Sequence, residues 1–384
     1  MTLDLVMFGE DWGGWPSSTQ HLARALLKGG DRILWVNSLG LRRPRWSDAA
    51  RVMTKLRAGW QGRAAPRPVH GPQPQGIIAP LAPPVPRKGF EAALAGQLLA
   101  RSLRRGLART GLSARPILWT SLPTAGPVLD RLPTAATVYY CCDDFGALEG
   151  VDHTDVLRHE AELAVRVDLI LATSPELAAK FPAAKTRLVP HGVDTDLFMT
   201  PQDRPTDVPQ DRPTVGFYGS LAGWVDWDWL MALARLLPDW EIQLIGPAKA
   251  ESAEKLAELA RYANIRLLGP RAHGELPAYL HTWTAALLPF RDLPQIHACN
   301  PLKLREYLAA GVPTVATPFP AAQAYAPEVK TAATVLEAAT YLRGLQERDP
   351  AQIRQEKAAR QQRVIGESWA ARAATIRGYL EEMG

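Results

Sequence analysis

The sequence predicts an α/β protein with two doubly wound parallel sheets, and three observations support this fold class. Short apolar runs alternate with longer helical patterns from one end of the 384-residue chain to the other. Most of these runs are almost continuously apolar, which is typical of parallel strands that helices cover on both faces. A single hydrophobic core stops growing at about 250 to 300 residues, so a chain of this length is expected to form two domains.

The candidate strands follow one another at intervals that leave room for a helix between most of them. They cover residues 3–8, 33–37, 117–120, 137–141, 169–173, 187–189, 215–218, 242–245, 265–268, 285–288 and 313–316. Strands that alternate with helical patterns indicate βαβ units, in which the strands of a sheet run parallel. Residues 64–86 are rich in proline, lack periodicity and are interpreted as a mobile loop.

A repeated proline-rich segment divides the chain. The hexapeptide PQDRPT occupies residues 201–206 and occurs again at residues 209–214. Proline and charge at this density are typical of an extended linker. We therefore expect an N-terminal domain over residues 1–205, completed by a helix at 368–384, and a C-terminal domain over residues 206–367.

Cysteine usage and hydropathy indicate a reducing compartment. The chain has three cysteines, and the adjacent Cys141 and Cys142 lie in an apolar run where a normal disulfide is geometrically implausible. No stretch of about 18 uncharged apolar residues occurs, and Asp4 stands where a signal peptide carries Lys or Arg. The sequence therefore predicts a cytoplasmic protein that does not span a membrane.

The net charge of +5 conceals a strongly basic region at residues 41–115. This region has fifteen Lys and Arg against two acids, a local net charge of +13, so the rest of the chain carries −8. Trp46 and Trp60 lie among its first eight basic residues, which are Arg42, Arg43, Arg45, Arg51, Lys55, Arg57, Arg63 and Arg67. Basic heads beside tryptophan are typical of an anionic membrane interface, and a solubilising arginine-rich face is the alternative. No nucleic-acid-binding motif accompanies the charge, so no nucleic-acid partner is predicted.

The second part of the basic region has the pattern of an amphipathic helix. Five leucines share residues 90–109 with four arginines: Leu94, Leu98, Leu99, Leu103 and Leu107, with Arg101, Arg104, Arg105 and Arg109. Such a helix lies at a membrane surface or packs its leucines on the sheet, and the pattern favours packing. The first part still predicts peripheral association at the inner face of the plasma membrane.

Four segments of the C-terminal half resemble one enzyme family. They read VGFYGSLAGWVDWDWL (215–230), IQLIGP (242–247), NIRLLGPRAHGELPAYL (264–280) and NPLKLREYLAAGVPTVATP (300–318). In this order they resemble the donor-binding half of family 4 (group 1) glycosyltransferases, especially bacterial enzymes of the teichuronic-acid and exopolysaccharide type. The segments VYYCCDDF, LILATSPELAAKF and LVPHGVDTDLF extend the resemblance into the N-terminal half, so that it covers about two thirds of the chain.

The resemblance implies the GT-B fold, in which two Rossmann-like domains face a cleft. It also implies a hexosyl-type glycosyltransferase that moves a sugar from a nucleotide-diphospho-sugar to an acceptor. Together with the basic region, it predicts a lipid-linked or polysaccharide acceptor of the cell envelope. Two alternatives are compatible with the sequence: a nucleotide-sugar epimerase of the same fold and a catalytically inactive sugar-nucleotide-binding protein.

Two motifs carry the predicted donor site. Gly219 and Ser220 follow a buried strand, where glycine lets the backbone approach a pyrophosphate and a following helix supplies free N–H groups. A glycine used only for a tight turn is the alternative. Lys303 and Glu306 lie three residues apart on one helix face. By resemblance, Lys303 binds a phosphate and Glu306 the ribose hydroxyls, whereas an ordinary surface ion pair is the alternative.

The resemblance implies further donor contacts around these motifs. The complete donor-binding set is Gly219, Ser220, Asp226, Gly246, His273, Asn300, Leu302, Lys303 and Glu306. Asn300 and Pro301 are predicted to open the helix that carries Lys303 and Glu306, with proline in its first turn. Retaining enzymes of the family carry a second glutamate upstream of the one that corresponds to Glu306, with seven residues between the two. Ala298 occupies that upstream position here. The stereochemical outcome therefore stays open.

Asp143 and Asp144 are the candidate catalytic bases. They directly follow a buried strand and are expected at the carboxyl edge of a parallel sheet, where ligand sites form. Two adjacent acids are expected to raise each other's pKa, and one of them to deprotonate the acceptor hydroxyl. A turn or capping role is the alternative for each residue.

The first loop also connects a strand to a helix. It reads FGEDWGGWPSSTQHLA at residues 8–23, and its glycines permit close approach of a ligand to the backbone. Trp15 is expected to pack against the protein. The predicted acceptor contacts are Glu10, Asp11, Trp12, Gly13 and Gly14.

Two Asp-x-Asp strings, residues 194–196 and 226–228, are compatible with a metal-dependent transferase. Such strings occur by chance in a chain of this length and carry little weight. In a two-Rossmann transferase, helix amino termini and Lys or Arg stabilise the departing diphosphate. No metal and no other cofactor is therefore predicted.

Overall fold

The chain folds into two α/β units, each built on one parallel sheet. The computed structural model describes residues 2–41, 71–80, 82–148 and 151–383. Unit 1 comprises Met1–His191 together with Trp369–Gly384, and unit 2 comprises Gly192–Ser368. The chain therefore leaves unit 1 after His191 and returns to it at the terminal helix.

The segment interpreted as an extended linker, residues 199–213, packs on unit 2 instead. Val208 is buried. The carboxylate of Asp207 accepts hydrogen bonds from Arg271 at 2.8 Å and from the hydroxyl of Tyr279 at 3.0 Å. Gln243 donates to the carbonyl oxygen of Asp207 at 3.1 Å. These contacts fix the segment, so the boundary between the units lies upstream of the proline-rich repeat.

The described part of unit 1 contains a seven-stranded parallel sheet. Its strands are β1 (Asp4–Phe8), β2 (Arg32–Val36), β3 (Gly76–Ile78), β4 (Ile117–Thr120), β5 (Ala136–Cys141), β6 (Leu169–Ala172) and β7 (Thr186–Leu188). Their order in the sheet is β3-β2-β1-β4-β5-β6-β7. Strands β4, β5 and β6 are buried along their whole length, which explains their almost continuous apolar sequence.

Unit 2 contains a six-stranded parallel sheet. Its strands are β8 (Thr214–Tyr218), β9 (Glu241–Ile245), β10 (Ile265–Gly269), β11 (Ala285–Leu288), β12 (Thr314–Ala316) and β13 (Val329–Thr331). Their order is β10-β9-β8-β11-β12-β13. The central strands β8 and β11 are fully buried within the hydrophobic core of this unit.

Helices cover both sheets. Within the described ranges they are α1 (Ser18–Lys28), α2 (Phe90–Thr110), α3 (His153–Arg166), α4 (Pro175–Ala178), α5 (Thr195–Met199), α6 (Trp227–Leu236), α7 (Ala253–Leu259), α8 (Leu276–Leu280), α9 (Pro294–Ala298), α10 (Leu302–Ala310), α11 (Pro320–Gln323), α12 (Val335–Leu345), α13 (Pro350–Val364) and α14 (Trp369–Glu381). Short 3₁₀ helices cover Pro123–Arg131, Ala183–Lys185, Ala250–Ser252 and His273–Glu275. The terminal helix α14 packs on α1, where the Trp369 ring stacks on His21 at 5.3 Å between ring centres.

All the strands predicted from the sequence are present, each within one residue at either end. The structure adds β3, with the sequence GII, and β13, with the sequence VKT. Gly76 opens the first and Lys330 interrupts the second, so neither forms a clear apolar run in the sequence. The strand β3 lies within the proline-rich stretch 64–86, so the part of that stretch that the structure describes is not a simple loop.

Candidate functional site

Two glycines follow neighbouring strands of unit 2 at the carboxyl edge of its sheet. Gly219 follows β8 with a φ of +145°, and Gly246 follows β9 with a φ of +143°, a backbone region that favours glycine. A Cβ atom on Gly246 would lie 1.8 Å from the carbonyl oxygen of Gly219. A Cβ atom on Gly219 would lie 2.9 Å from Cε of Lys303. The absence of two side chains thus lets this backbone and Lys303 come together.

Lys303 lies in the first turn of α10, which follows Pro301 and has no side-chain cap. Its ammonium lies 5.4 Å from the ring centres of both Phe217 and Phe290. Among the described residues, no carboxylate forms a salt bridge with Lys303, so the ion pair with Glu306 considered from the sequence does not form. Burial lowers the pKa of Lys303, and the charge of Glu306 opposes this effect. An anion bound beside Lys303 would find a cation that forms no salt bridge, together with free helix N–H groups.

The carboxylate of Glu306 is held by two donors. The hydroxyl of Tyr218 donates to Oε2 at 2.5 Å, and Nε2 of His273 lies 2.9 Å from Oε1. The His273 ring in turn packs against Phe198 with an edge-to-face geometry. Burial and the charge of Glu306 raise the pKa of Tyr218 well above its usual value, which keeps its hydroxyl a donor. Glu306 is therefore fixed in one orientation, with lone pairs left for further donors.

Other predicted donor residues are engaged by the protein itself. Asp226 caps α6 by accepting a hydrogen bond from the backbone N–H of Trp229 at 2.9 Å. This helix begins at Trp227, so it does not directly follow Gly219 and Ser220 as the sequence suggested. It is the amino end of α10 that approaches Gly219. Asn300 accepts a hydrogen bond from Arg305, and α10 begins at Leu302, after the proline.

The other Asp-x-Asp string, residues 194–196, also begins with a residue that caps a helix. Asp194 accepts a hydrogen bond from the backbone N–H of Leu197 at 3.0 Å, at the start of α5. Asp228, the last residue of the other string, pairs with Lys255 on the surface. Residues 2–41, 71–80, 82–148 and 151–383 contain no group of three His, Cys, Asp or Glu side chains arranged to hold a metal ion.

In unit 1, Asp143 and Glu10 follow two strands, β5 and β1, at the carboxyl edge of the sheet. Solvent reaches the side chain of Asp143, but dense surrounding protein partly desolvates it. This desolvation raises the pKa of Asp143 to about 6, and the charge of Glu10 adds to the effect. The hydroxyl of Ser17 donates to Glu10 at 2.7 Å. The structure thus associates two acids that the sequence assigned to different roles.

Asp144 has a different environment, although it is the next residue. Lys180 donates to its carboxylate at 2.9 Å, and the backbone N–H of Gly146 donates at 3.0 Å. Burial alone would raise the pKa of Asp144, but these two donors bring it below its usual value. The expectation that the adjacent acids raise each other's pKa is therefore wrong. The neighbour that acts on Asp143 is Glu10.

The two tryptophans of the first loop exchange their predicted roles. Trp12, an expected acceptor contact, is 6% exposed, contacts Trp35 edge-on and donates from Nε1 to Gln73 at 2.9 Å. Trp15, which was expected to pack, is 58% exposed. The sequence of the loop gives no indication of which ring faces β2. Trp12 is a packing residue, and Trp15 is the accessible aromatic side chain of this loop.

The rest of the loop forms a tight turn. The backbone N–H of Gly14 donates to the carbonyl oxygen of Asp11 at 3.0 Å, and a Cβ atom on Gly14 would lie 2.9 Å from that oxygen. Gly13 has a φ of +74°, and its N–H donates to the side chain of Gln20 at 3.1 Å. The side chain of Asp11 is exposed. Both glycines are therefore required by the turn itself.

Aromatic residues that were not predicted from the sequence surround Lys303 and Glu306. Phe217 and Tyr218 directly precede Gly219, and Phe290 follows β11 by two residues. Their positions at strand ends could have indicated contact with a ligand site, because the carboxyl ends of parallel strands meet at one edge. Tyr218 and His273 form the hydrogen bonds that fix the predicted ribose-binding carboxylate.

The helix at residues 90–109 largely packs, as its pattern favoured. Leu99, Leu103 and Leu107 are buried, and the arginines of the opposite face are exposed. At its amino end, however, Phe90 is 80% exposed and Leu94 is 37% exposed. Trp46, Trp60 and the eight basic residues of residues 42–67 lie outside the described residues. In the described ranges, the structure shows no helix with the length and hydropathy needed to cross a membrane.

Two α/β units, each with a parallel sheet and polar side chains at the carboxyl ends of its strands, are the components of a GT-B fold, and the predicted fold class is confirmed. Residues 212–342 match the family model described as Glycosyl transferases group 1. This segment contains every residue of the predicted donor-binding set. The resemblance to group 1 glycosyltransferases is therefore confirmed for the half of the chain that carries the donor motifs.

One curated relative and two solved structures are similar to this chain. TuaH of Bacillus subtilis (strain 168), described as a teichuronic acid biosynthesis glycosyltransferase, is 30% identical over 224 residues. The match covers 54% of this chain and 56% of TuaH, so the chain spans about half the length of this relative. Sucrose-phosphate synthase from Thermosynechococcus elongatus has a TM-score of 0.72 at 18% identity, over 99% of both chains. Anabaena HepE in complex with UDP and glucose has a TM-score of 0.69 at 16% identity, over 99% of both chains.

Proposed function

We propose that this protein is a glycosyltransferase that takes a hexosyl group from a nucleotide-diphospho-sugar. One observation carries the proposal: Lys303 lies beside Gly219, has no salt bridge to a carboxylate of the described residues, and stands in the uncapped first turn of α10. A cation, a close-approach glycine and free helix N–H groups together suit a diphosphate. The match of residues 212–342 to group 1 glycosyltransferases supports the same assignment.

In this proposal Lys303 and Glu306 divide the recognition of the donor. Lys303 stabilises the negative charge that develops on the diphosphate as it departs, which lowers the barrier of the transfer step. Glu306, held by Tyr218 and His273, accepts hydrogen bonds from the ribose hydroxyls. The first donor to test is UDP-glucose, because structures of the similar HepE from Anabaena contain UDP and UDP-glucose.

Asp143 is the proposed general base. It takes the proton of the acceptor hydroxyl while that oxygen bonds to the anomeric carbon, and the bond from the anomeric carbon to the diphosphate breaks. A base acts best when its pKa lies near the working pH, and the pKa of Asp143 is about 6. Asp144 is less suited, because Lys180 holds its carboxylate in an ion pair.

Metal independence is part of the proposal. The charge of the departing diphosphate is assigned to Lys303 and the amino end of α10, so transfer is expected to continue in excess EDTA. Initial rates of nucleoside diphosphate release with EDTA and with added magnesium or manganese test this point. A complete loss with EDTA that either metal restores would contradict it.

We also propose that the acceptor is a lipid-linked or polysaccharide component of the cell envelope. The relative TuaH is described as acting in teichuronic acid biosynthesis, and the basic region 41–115 suits an anionic surface. In this view the protein associates peripherally with the cytoplasmic face of the plasma membrane. The exposed Phe90, which follows Arg87 and Lys88 in the sequence, provides an apolar contact for that surface.

Vesicle sedimentation tests the membrane part separately. Anionic vesicles at low salt are expected to carry down the full-length protein, and added salt to release it. Phe90→Ser should lower the bound fraction, whereas Leu336→Ser, which removes another exposed apolar side chain at 62% exposure, should not. Absence of sedimentation at low salt, or equal losses in both variants, would contradict the proposed surface.

The activity itself is tested with UDP-, GDP- and ADP-sugars and a bacterial lipid extract. A transferase releases the nucleoside diphosphate and adds the sugar to a new product. An epimerase would instead return a changed nucleotide-sugar without releasing the diphosphate. A catalytically inactive protein would show binding in a thermal-shift screen without any product.

A further inference from the structure

Unit 2 contains a cavity at the other end of its sheet from Gly219 and Gly246. This cavity has a volume of about 290 Å³ and lies where Thr284 leads into β11 and Pro313 leads into β12. It therefore opens at the amino ends of these strands. Gly219 and Gly246 follow the carboxyl ends of the parallel strands β8 and β9, so the cavity is separate from the candidate donor site.

Basic side chains form the polar wall of this cavity. Arg348, Lys357 and Arg360 line it, and Glu356 is the one acid among its lining residues in the described part of the chain. Glu356 forms salt bridges with both Arg348 and Arg360, so two guanidinium groups share one carboxylate. These four side chains leave a net charge of +2 in the wall.

The side chain of Arg360 has hydrogen-bond partners within the fold, whereas that of Lys357 has none among the described residues. Arg360 is 4% exposed and donates to the carbonyl oxygen of Gly311 at 2.9 Å, which caps the carboxyl end of α10. The stem of Lys357 passes close to Gly311, where a Cβ atom would lie 2.5 Å from its Cγ. Its ammonium has no hydrogen bond or salt bridge to any residue that the structure describes. Lys357 thus contributes a positive charge that no neighbour neutralises.

A second unsatisfied group lies beside Lys357. The Nε2 atom of His281 is buried and has no hydrogen-bond partner among the described residues. Burial lowers the pKa of His281, and the charge of Lys357 lowers it further, whereas nearby backbone groups of Thr200 and Phe198 act in the opposite direction. Solvent does not reach this atom, so His281 shapes the wall beside Lys357 but offers no contact to a ligand in the cavity.

We propose that this cavity binds a small phosphomonoester through Lys357 and Arg348. The net charge of +2 in the wall matches a phosphomonoester dianion better than a singly charged carboxylate. Leu280, Leu345 and Ile353 form an apolar wall for the organic part of the ligand. The volume lies near the lower end of the range of about 300 to 1,000 Å³ that is usual for small-molecule sites. No residue of the candidate donor site takes part, so the site stands whether or not the proposed transferase activity does.

Calorimetric titration of the full-length protein with phenyl phosphate at pH 7.5 tests this site. Phenyl phosphate should bind, and benzoate, its singly charged counterpart, should bind at least about 10-fold more weakly. Lys357→Gln should weaken the binding of phenyl phosphate by about 10-fold or more, whereas Lys357→Arg should retain this binding. Arg354→Gln is the matched control, because it removes the same charge from an exposed position one turn away on α13.

Two further variants distinguish binding in this cavity from binding at the candidate donor site. Ile353→Asp places a negative charge at the exposed rim of the cavity and should also abolish binding, without disturbing the core. Binding that Lys303→Met removes and Lys357→Gln retains would belong to the candidate donor site. That result, absence of binding to the wild-type protein, or equal affinities of wild type and Lys357→Gln would overturn the proposal.

Discussion

In unit 2 the important side chains are positioned by their neighbours, whereas in unit 1 the corresponding carboxylate has no hydrogen-bond partner among the described residues. Glu306 is held by Tyr218 and His273, and Lys303 lies between two phenylalanine rings. Asp143 is open to solvent, and its distinctive property is a pKa of about 6. The first arrangement suits binding, which needs fixed geometry, and the second suits proton transfer, which needs a tuned pKa.

This difference predicts that substitution of Asp143 changes turnover without changing affinity for the donor, whereas substitutions at the unit 2 site change affinity. The largest effect is expected for Asp143→Asn, because an amide cannot accept the proton of the acceptor. Turnover should fall by about 10²- to 10⁴-fold with unchanged affinity for UDP, measured by product formation and by calorimetry. Asp144→Asn is the matched control and should lose less than about 10-fold. Equal losses in the two variants would remove the distinction between the two acids.

Gly219→Ala should weaken the binding of UDP by about 10-fold or more. The added Cβ would lie 2.9 Å from Cε of Lys303 and 3.0 Å from its Nζ, at a φ that disfavours any side chain. The lysine must therefore move away from the diphosphate position. Gly344→Ala, where a Cβ meets nothing within 4 Å, is the control and should leave affinity unchanged. Unaltered UDP affinity in Gly219→Ala would show that this close approach has no role in binding.

Glu306→Gln should remove the preference for a nucleotide that carries both ribose hydroxyls. Wild-type protein is expected to bind UDP about 10-fold more tightly than 2′,3′-dideoxy-UDP, because the carboxylate accepts hydrogen bonds from the hydroxyls. In Glu306→Gln the two ligands should bind with similar affinities. A preference that persists in the variant would place the ribose elsewhere.

The smallest effect is a shift in the pH dependence of kcat/KM. Because a base must be deprotonated, the rate should rise with pH, reach half of its maximum at about 6, the pKa of Asp143, and level off at higher pH. Glu10→Gln removes a negative charge that raises this pKa, so the rise should move to lower pH by less than about 1 unit. Asp11→Asn removes a neighbouring exposed acid and should leave the profile in place. A shift to higher pH in Glu10→Gln would contradict the assigned electrostatics.

The sequence predicted the sheets of both units because buried parallel strands are marked by continuous apolar runs. It missed β3 and β13, whose sequences, GII and VKT, do not form such a run. It placed the domain boundary at the proline-rich repeat, because composition cannot show that Asp207 and Val208 attach that segment to unit 2.

Within the candidate site, the sequence indicated the positions of the site residues but not the neighbours that their side chains contact. The positions of Lys303 and Glu306 followed from a helix pattern and a family resemblance. The partners of Asp143 and Asp144 did not, because Glu10 and Lys180 reach them from distant parts of the sequence. The exchange of roles between Trp12 and Trp15 has the same origin, since only the folded loop determines which ring contacts Trp35.

The central claim is that unit 2 grips a nucleoside diphosphate through Lys303, and calorimetric titration of the full-length protein with UDP tests it most directly. Wild type is expected to bind one UDP, and Lys303→Met to bind it about 10- to 100-fold more weakly, the range for loss of one charged hydrogen bond. Lys255→Met, which removes a surface lysine already paired with Asp228, should match wild type. Absence of UDP binding to the wild-type protein, or equal affinities of wild type and Lys303→Met, would contradict the account.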